Sequence, residues 1–405
     1  MTVAVPPLAL YVHLPWCVRK CPYCDFNSHA VPAAGIPQRA YLAALLEDLD
    51  LAAAGLDSRP LVSVFFGGGT PSLIDADAIA RILGRARELF PLSAGLEVTL
   101  EANPGTVEHG RFTEYRDAGV NRVSLGAQSF DDRHLAALGR IHAAGDTLAA
   151  VAELRAAGID NFNLDLMYGL PRQSPEEALH DLQRAIELEP AHVSHYQLTL
   201  EPGTAFERRP PPLPDDDTSF AMQLACQERL AEAGYRQYEV SAHARPGRQC
   251  LHNLNYWLFG DYLGIGAGAH GKLTDAATGA VVRTARVRQP GRYLAAGRPL
   301  DRIEETRTVA TRELPFEFCL NALRLVDGFD AALFEARTGL PWRSLAAPLA
   351  MAVERGLIAT SEGRWTPTAF GRRFLNDLQA LFLPEGPPAQ GLVNHPAIAS
   401  GTRMV

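Results

Sequence analysis

No stretch of this 405-residue chain reaches the 18 consecutive apolar residues of a membrane span, and its first residues, MTVAVPPLALYVHLPW, lack a basic leader segment. A transmembrane anchor and a secretory signal are therefore not expected. The cytoplasm is the default location, with peripheral contact to a membrane surface compatible with the composition. Basic clusters are missing as well: the net charge is −8, and no block of Lys or Arg is long enough to form a nucleic-acid face. Nucleic acid is not an expected partner. Cysteine is scarce, with six in all, and Cys226, Cys250 and Cys319 lie so far apart that they read as buried apolar residues. The chain is 47% hydrophobic, enough for a sizeable core, and its length suits a barrel-type domain plus a smaller one.

The remaining three cysteines stand together. Cys17, Cys21 and Cys24 form a C-x3-C-x2-C run inside Tyr11–Asn27, YVHLPWCVRKCPYCDFN. Thiols at this density in a chain without an export signal point to a metal or an iron–sulfur cluster. Three thiolates on a four-iron cluster leave one iron open for another ligand. Two other readings stand beside this one. Structural zinc wants four closed ligands, and only His13 or Asp25 lies near enough in sequence to complete the set. A disulfide strands one cysteine and needs an oxidising compartment.

Around this run, short apolar segments alternate with helical patterns. Strands are predicted at Leu8–Leu14, Leu61–Phe66, Leu96–Glu101, Arg122–Leu125, Asn161–Met167 and His192–Leu198. Helices are predicted between them at Gln38–Ala54, Ala76–Leu89, Gly110–Ala118, Leu148–Ala157 and Pro175–Leu188. Such alternation gives parallel βαβ units, here a curved sheet of about six repeats, an incomplete TIM-like barrel. Functional residues then belong at the C-terminal strand ends. The predicted strands run into His13 and the cysteines, Gly67–Ser72 (GGGTPS), Glu101–Pro104, Gln128–Ser129 and Asp165–Pro171. The proline-rich Arg209–Asp217 reads as an excursion over the barrel mouth, followed by a helix at Thr218–Ala233 and a strand at Gln237–Ala242. From about Thr306 the pattern becomes helices (Leu314–Ala322, Asp330–Thr338, Trp342–Arg355), two short strands (Leu357–Thr360, Arg364–Pro367) and a last helix (Thr368–Leu381), a small winged-helix-like α+β domain. The expected division is a barrel over 1–240, a connecting segment over 241–305, the small domain over 306–383 and a flexible tail over 384–405.

YVHLPWC-x3-C-x2-C resembles the radical S-adenosylmethionine (SAM) superfamily. His13-Leu14-Pro15 before the first cysteine and Tyr23–Phe26 around the last are similar to the family of oxygen-independent coproporphyrinogen III oxidases and their haem-chaperone relatives. The resemblance runs from Tyr11 to about Leu383. It implies a (β/α)6 radical SAM barrel whose Cys17, Cys21 and Cys24 hold a [4Fe–4S] cluster, with SAM on the fourth iron. Reduction of that cluster cleaves SAM to methionine and a 5′-deoxyadenosyl radical in this superfamily. The resemblance places Tyr11, Gly68, Gly69, Thr70 and Glu101 at SAM. It places Gln128, Arg140 and Asp165 at a second SAM, and each of the three also reads as an interior polar residue bridging barrel layers. The segment His252–Trp257 (HNLNYW) resembles a haem-associated H-N-x-x-Y-W motif, which makes His252, Tyr256 and Trp257 haem contacts. Packed core aromatics are the plain alternative for them, and His270 is a less specific haem ligand.

Two departures separate the branches of that family. The oxidases carry a further cysteine at the position of Phe26, and an N-terminal extension where this chain has ten residues before Tyr11. The leading expectation is a haem chaperone that uses a [4Fe–4S] cluster and SAM. Its partners would be haem, a haem-accepting apo-protein and an electron donor for the cluster. A coproporphyrinogen III dehydrogenase and a radical SAM methyltransferase are the two enzymatic alternatives.

Overall fold

A computed structural model describes residues 5–105 and 111–384. The tail expected to be flexible lies outside the described residues from 385 onward, as does Gly110 at the start of one expected helix. Six strands alternate with helices: β1 (Leu8–Leu14), α1 (Gln38–Ala53), β2 (Leu61–Gly68), α2 (Ala76–Leu89), β3 (Leu92–Ala102), α3 (Phe112–Ala118), β4 (Arg122–Gln128), α4 (Ala144–Ala156), β5 (Phe162–Tyr168), α5 (Pro175–Glu187) and β6 (His192–Gln197). Each strand from β1 to β6 pairs in parallel with the next. The helix starts are built locally. At α5, Ser174 accepts from the Glu177 N–H, Glu177 reciprocates to the Ser174 N–H, and Pro175 fills the first turn.

The chain then continues through α6 (Asp216–Glu232), β7 (Arg236–Gln237), β8 (Ala242–Ala244), α7 (Leu251–Trp257), β9 (Asp261–Ile265), β10 (His270–Thr274), β11 (Val281–Arg286) and β12 (Ile303–Thr308). All twelve strands join one sheet in the order β12-β11-β10-β9-β1-β2-β3-β4-β5-β6-β8-β7. The stretch read as a connector therefore extends the sheet at both edges. β9 lies parallel to β1 on the side away from β2, and β10 to β12 continue antiparallel. The expected strand Gln237–Ala242 is replaced by two short strands around a turn. Glu239 reverses the chain there by accepting from both the N–H and the hydroxyl of Ser241.

Side chains alternate across this sheet with period two. Val64 and Phe66 of β2, Val98 and Leu100 of β3, Val123 and Leu125 of β4, and Leu164 and Leu166 of β5 face the helices and form one core with Ile79, Ile82, Leu154 and Leu182. The opposite, concave face is polar and lines a cavity.

Helices Leu314–Ala322, Ala331–Thr338 and Ala346–Glu354 and the antiparallel strands Ile358–Ser361 and Arg364–Pro367 make the C-terminal unit, with its own core around Phe318, Phe329 and Phe334. Its expected last helix is broken at Phe374 into Ala369–Arg373 and Leu375–Ala380. The unit meets the barrel where Phe259 packs on Phe318 and the Val326 N–H donates to the Tyr238 carbonyl. No described helix is long and apolar enough to cross a membrane.

Candidate functional site

The cavity opens at the C-terminal ends of the parallel strands, and its rim is the cysteine loop. Trp16–Cys17 pairs with His29–Ala30, which folds the loop back on itself. Asn27 anchors it to the sheet by donating to the carbonyls of Ala267 and Arg288, both at 2.9 Å. The glycine-rich turn locks against its base: the Gly69 N–H donates to the Leu14 carbonyl and the Thr70 N–H to the Trp16 carbonyl, both at 2.8 Å. Only glycine suits this approach. A Cβ at Gly69 would lie 2.5 Å from the Trp16 carbonyl oxygen. Gly68 has φ +113°, and a Cβ there would lie 2.5 Å from the His13 ring. Cys17, Cys21, Cys24, Gly68, Gly69 and Thr70 all line the cavity.

His13 is spent elsewhere. Its ring bonds the Asn27 carbonyl oxygen and the Tyr11 hydroxyl, both at 3.0 Å, and burial lowers its pKa to about 4. Asp25 lies off the cavity lining. Of the two side chains that sequence proximity offered as zinc ligands, His13 is thus not directed at the thiols, and Asp25 faces a neighbouring hollow that Cys21 and Cys24 also line. Burial raises the Cys17 thiol to about 11 and the Cys24 thiol in the same direction. Thiols desolvated in this way ionise when a metal compensates the charge, which suits an iron–sulfur cluster bound through three sulfurs.

Below the rim lie carboxylates without full compensation. Glu101 accepts from the Gly68 N–H at 3.1 Å, and its pKa is raised to about 8 by burial first and by the neighbouring Asp165 second. Asp165 is itself pushed up by burial, although Ser124 and Asn163 donate to it at 3.1 and 2.9 Å. Two desolvated acids facing one cavity call for a cationic ligand. The ammonium and sulfonium of SAM are such a ligand, so the residues present fit that cofactor.

The other expected SAM residues sit differently. Tyr11 stands one layer back, behind Gly67, and lies off the cavity lining. Gln128 lines the cavity at φ +68°, the product of an irregularity in the β4–β5 pairing, and accepts from the Tyr196 hydroxyl at 2.8 Å. Arg140 is a brace: it donates to Asn103, to the Gly126 carbonyl at 2.7 Å and to the Cys21 sulfur at 3.7 Å. It therefore ties the cysteine loop to β4, rather than offering a free fork to a ligand carboxylate.

The HNLNYW segment forms α7, which fills the concave face of the sheet. Glu97 of β3 receives its N-terminus, accepting from the N–H groups of Leu251 and His252 at 3.2 Å each. His252 is fully buried: its ring stacks on Phe65 with centroids 4.8 Å apart, and Nδ1 bonds the Ser63 hydroxyl at 2.9 Å. Burial and Arg122 lower its pKa to about 3. Asn253 and Trp257 are on the cavity lining, whereas His252 and Tyr256 are not. His270 is exposed and off the lining.

Reasoning from sequence placed Asn103 at a functional strand end without giving it a role and missed Arg122, Ser124, Asn163, Tyr196 and Arg324, all of which line the cavity. A signal was present in Arg122-x-Ser124 and Asn163-x-Asp165, where polar residues recur every second position of a strand otherwise apolar. Arg324, from the C-terminal unit, carries no local signal.

Comparison with known proteins agrees with this geometry. The radical SAM superfamily profile matches residues 11–185, and the HemN C-terminal domain profile matches residues 309–374. The heme chaperone HemW of Escherichia coli is 49% identical over 95% of this chain and 100% of the relative; that of Haemophilus influenzae is 48% identical over 94% and 99%. The structure of coproporphyrinogen III oxidase (HemN) from E. coli superposes with a TM-score of 0.78 at 23% identity, covering 93% of this chain and 90% of that one. This last likeness speaks for the fold.

Proposed function

Because this chain belongs to the HemW family of radical SAM proteins, we propose that it is a haem chaperone, which binds haem and passes it to a haem-accepting apo-protein. The observation that carries this reading is the 49% identity to the HemW of E. coli along 95% of the chain. Phe26, which lines the cavity where the related oxidases carry a cysteine, supports it over porphyrin decarboxylation.

In this reading Cys17, Cys21 and Cys24 hold a [4Fe–4S] cluster, and Gly68, Gly69, Thr70, Glu101 and Asp165 hold SAM beside it. When bound, this pair supplies one-electron chemistry from an external donor. The chain's own part is placement and exclusion of water. Gly68 and Gly69 bring backbone close to the ligand, and Glu101 and Asp165 offer negative charge to its cationic groups. Tyr23, buried next to Cys24, shields the cluster from solvent, and Arg140 holds Cys21 in register with β4. Gln128 and Tyr196 form the opposite wall, where a second SAM or a substrate edge would lie.

Haem meets the same cavity through the α7 face that carries Trp257. Tyr256 and His252 act from behind that face, His252 by seating Phe65. The test is anaerobic reconstitution with iron and sulfide followed by haem titration, read at the Soret band. Stoichiometric binding is expected, together with no vinyl product from coproporphyrinogen, SAM and a reductant. Absence of haem binding overturns the reading, and vinyl formation replaces it with the dehydrogenase.

A further inference from the structure

One wall of the cavity is lined with hydrogen-bond donors that have no acceptor. Trp257 Nε1, Arg324 Nε and Arg122 Nε are all buried and have no hydrogen-bond partner among the described residues. The three residues are 3%, 9% and 2% exposed, and all line the cavity. A buried donor left unpaired costs about 1–3 kcal/mol, and more when it is charged. Three on one wall mark a place where a ligand supplies the acceptors.

Their arrangement describes the ligand. The Arg324 guanidinium stacks over the Trp257 ring at 4.4 Å, so the two N–H groups belong to one corner of the cavity, at the C-terminal end of α7. Arg324 spends one nitrogen on Glu239 at 3.2 Å and leaves its Nε unpartnered. Arg122 is placed at the other end of the helix, because Glu97, 3.9 Å from its Nε, is the acceptor for the helix N-terminus. The two corners are separated by the length of α7, about 9 Å at 1.5 Å per residue. Asn253 Oδ1, on α7 between the two corners, is an unpartnered acceptor on the same lining, but the charged groups among these unpartnered atoms are guanidinium donors, and they select an anionic acceptor of planar, forked geometry.

We infer that this wall is a receptor for ligand carboxylates: Trp257 and Arg324 together take one, and Arg122 takes a second. The inference rests on the haem reading and adds to it that the tetrapyrrole enters with its propionate groups against α7. Arg324 comes from the C-terminal unit, so the site is complete only where that unit closes on the barrel. This gives the unit a direct role in recognition.

The test compares haem with haem dimethyl ester, in which both carboxylates are blocked, on the reconstituted full-length chain, in the unaltered protein and in Trp257→Phe and Arg324→Gln. The free acid is expected to bind roughly tenfold or more tighter than the ester, the size of one charge-assisted hydrogen bond. Each variant should lose that preference, its acid-to-ester affinity ratio falling towards one whatever its overall haem affinity, a pattern that general loosening of the fold does not produce. Equal binding of acid and ester by the unaltered protein overturns the inference and leaves the haem reading intact. If neither form of haem binds, the haem reading fails, and metal-free coproporphyrin and its tetramethyl ester are compared by quenching of the protein's tryptophan fluorescence. No preference for the free acid there overturns the inference too. Loss of SAM affinity in both variants with the acid preference intact also overturns it, by assigning these donors to SAM.

Discussion

Asp48 and Glu101 are both buried carboxylates in the same sheet-and-helix framework, and their surroundings could hardly differ more. Asp48, on α1, receives the Arg286 Nε at 2.8 and 3.1 Å, the Tyr293 hydroxyl at 2.8 Å and the Gly266 N–H at 3.1 Å. Asp261 is equally well served, by Lys272, Arg59 and Thr274. Glu101 has one backbone N–H and a second acid as neighbour. The first two are complete and tie α1 and β9 to the far edge of the sheet. The third is incomplete, and it faces the cavity. What separates a structural charge from a site residue here is whether the fold has already supplied the partners.

That contrast is broken most severely at Asp48. Asp48→Ala leaves Arg286 as a buried charge without a counterion, and about 3–5 kcal/mol of stability should be lost in denaturant titration, with cluster assembly failing as a consequence. A change below about 1 kcal/mol would mean that the network is not structural.

Glu101→Gln sharpens the comparison from the other side. In the ligand-free fold Glu101 stays protonated from its ordinary 4.5 up to about 8, a window in which the unfolded chain has already ionised it. The folded state binds the extra proton there, so its stability falls as pH rises through that window. The variant should flatten that slope, cost little stability, and weaken SAM binding roughly tenfold through loss of a charged partner. An unchanged SAM affinity would remove Glu101 from the site. The smallest effect belongs to Gln128→Gly. Relief of a left-handed backbone and loss of the Tyr196 hydrogen bond are each about 1 kcal/mol and opposite in sign, so stability should hold while SAM affinity drops a few-fold.

The same contrast explains what could be read in the sequence. The cysteine loop and Gly67–Thr70 are local, and their chemistry is written in consecutive residues, as were the six parallel strands and their helices. β9 to β12 were not legible, because the segments on either side of the glycine-rich turn at 266–269 become strand only by pairing with β1 and its neighbours. Arg140 was identified as a site residue for its charge, yet its partners are Gly126 on β4 and Asn103 just past the end of β3, and they make it a brace. The buried position of His252 depends on Ser63, nearly two hundred residues away in the chain, and no local pattern encodes that.

The most direct test of the account is the iron content of the reconstituted protein and the electron paramagnetic resonance of its reduced cluster with and without SAM. The account predicts about four irons and four sulfides per chain, lost in Cys24→Ala, and a spectrum that changes when SAM is added. A single tightly bound zinc, or a cluster whose spectrum SAM leaves unaltered, would contradict it.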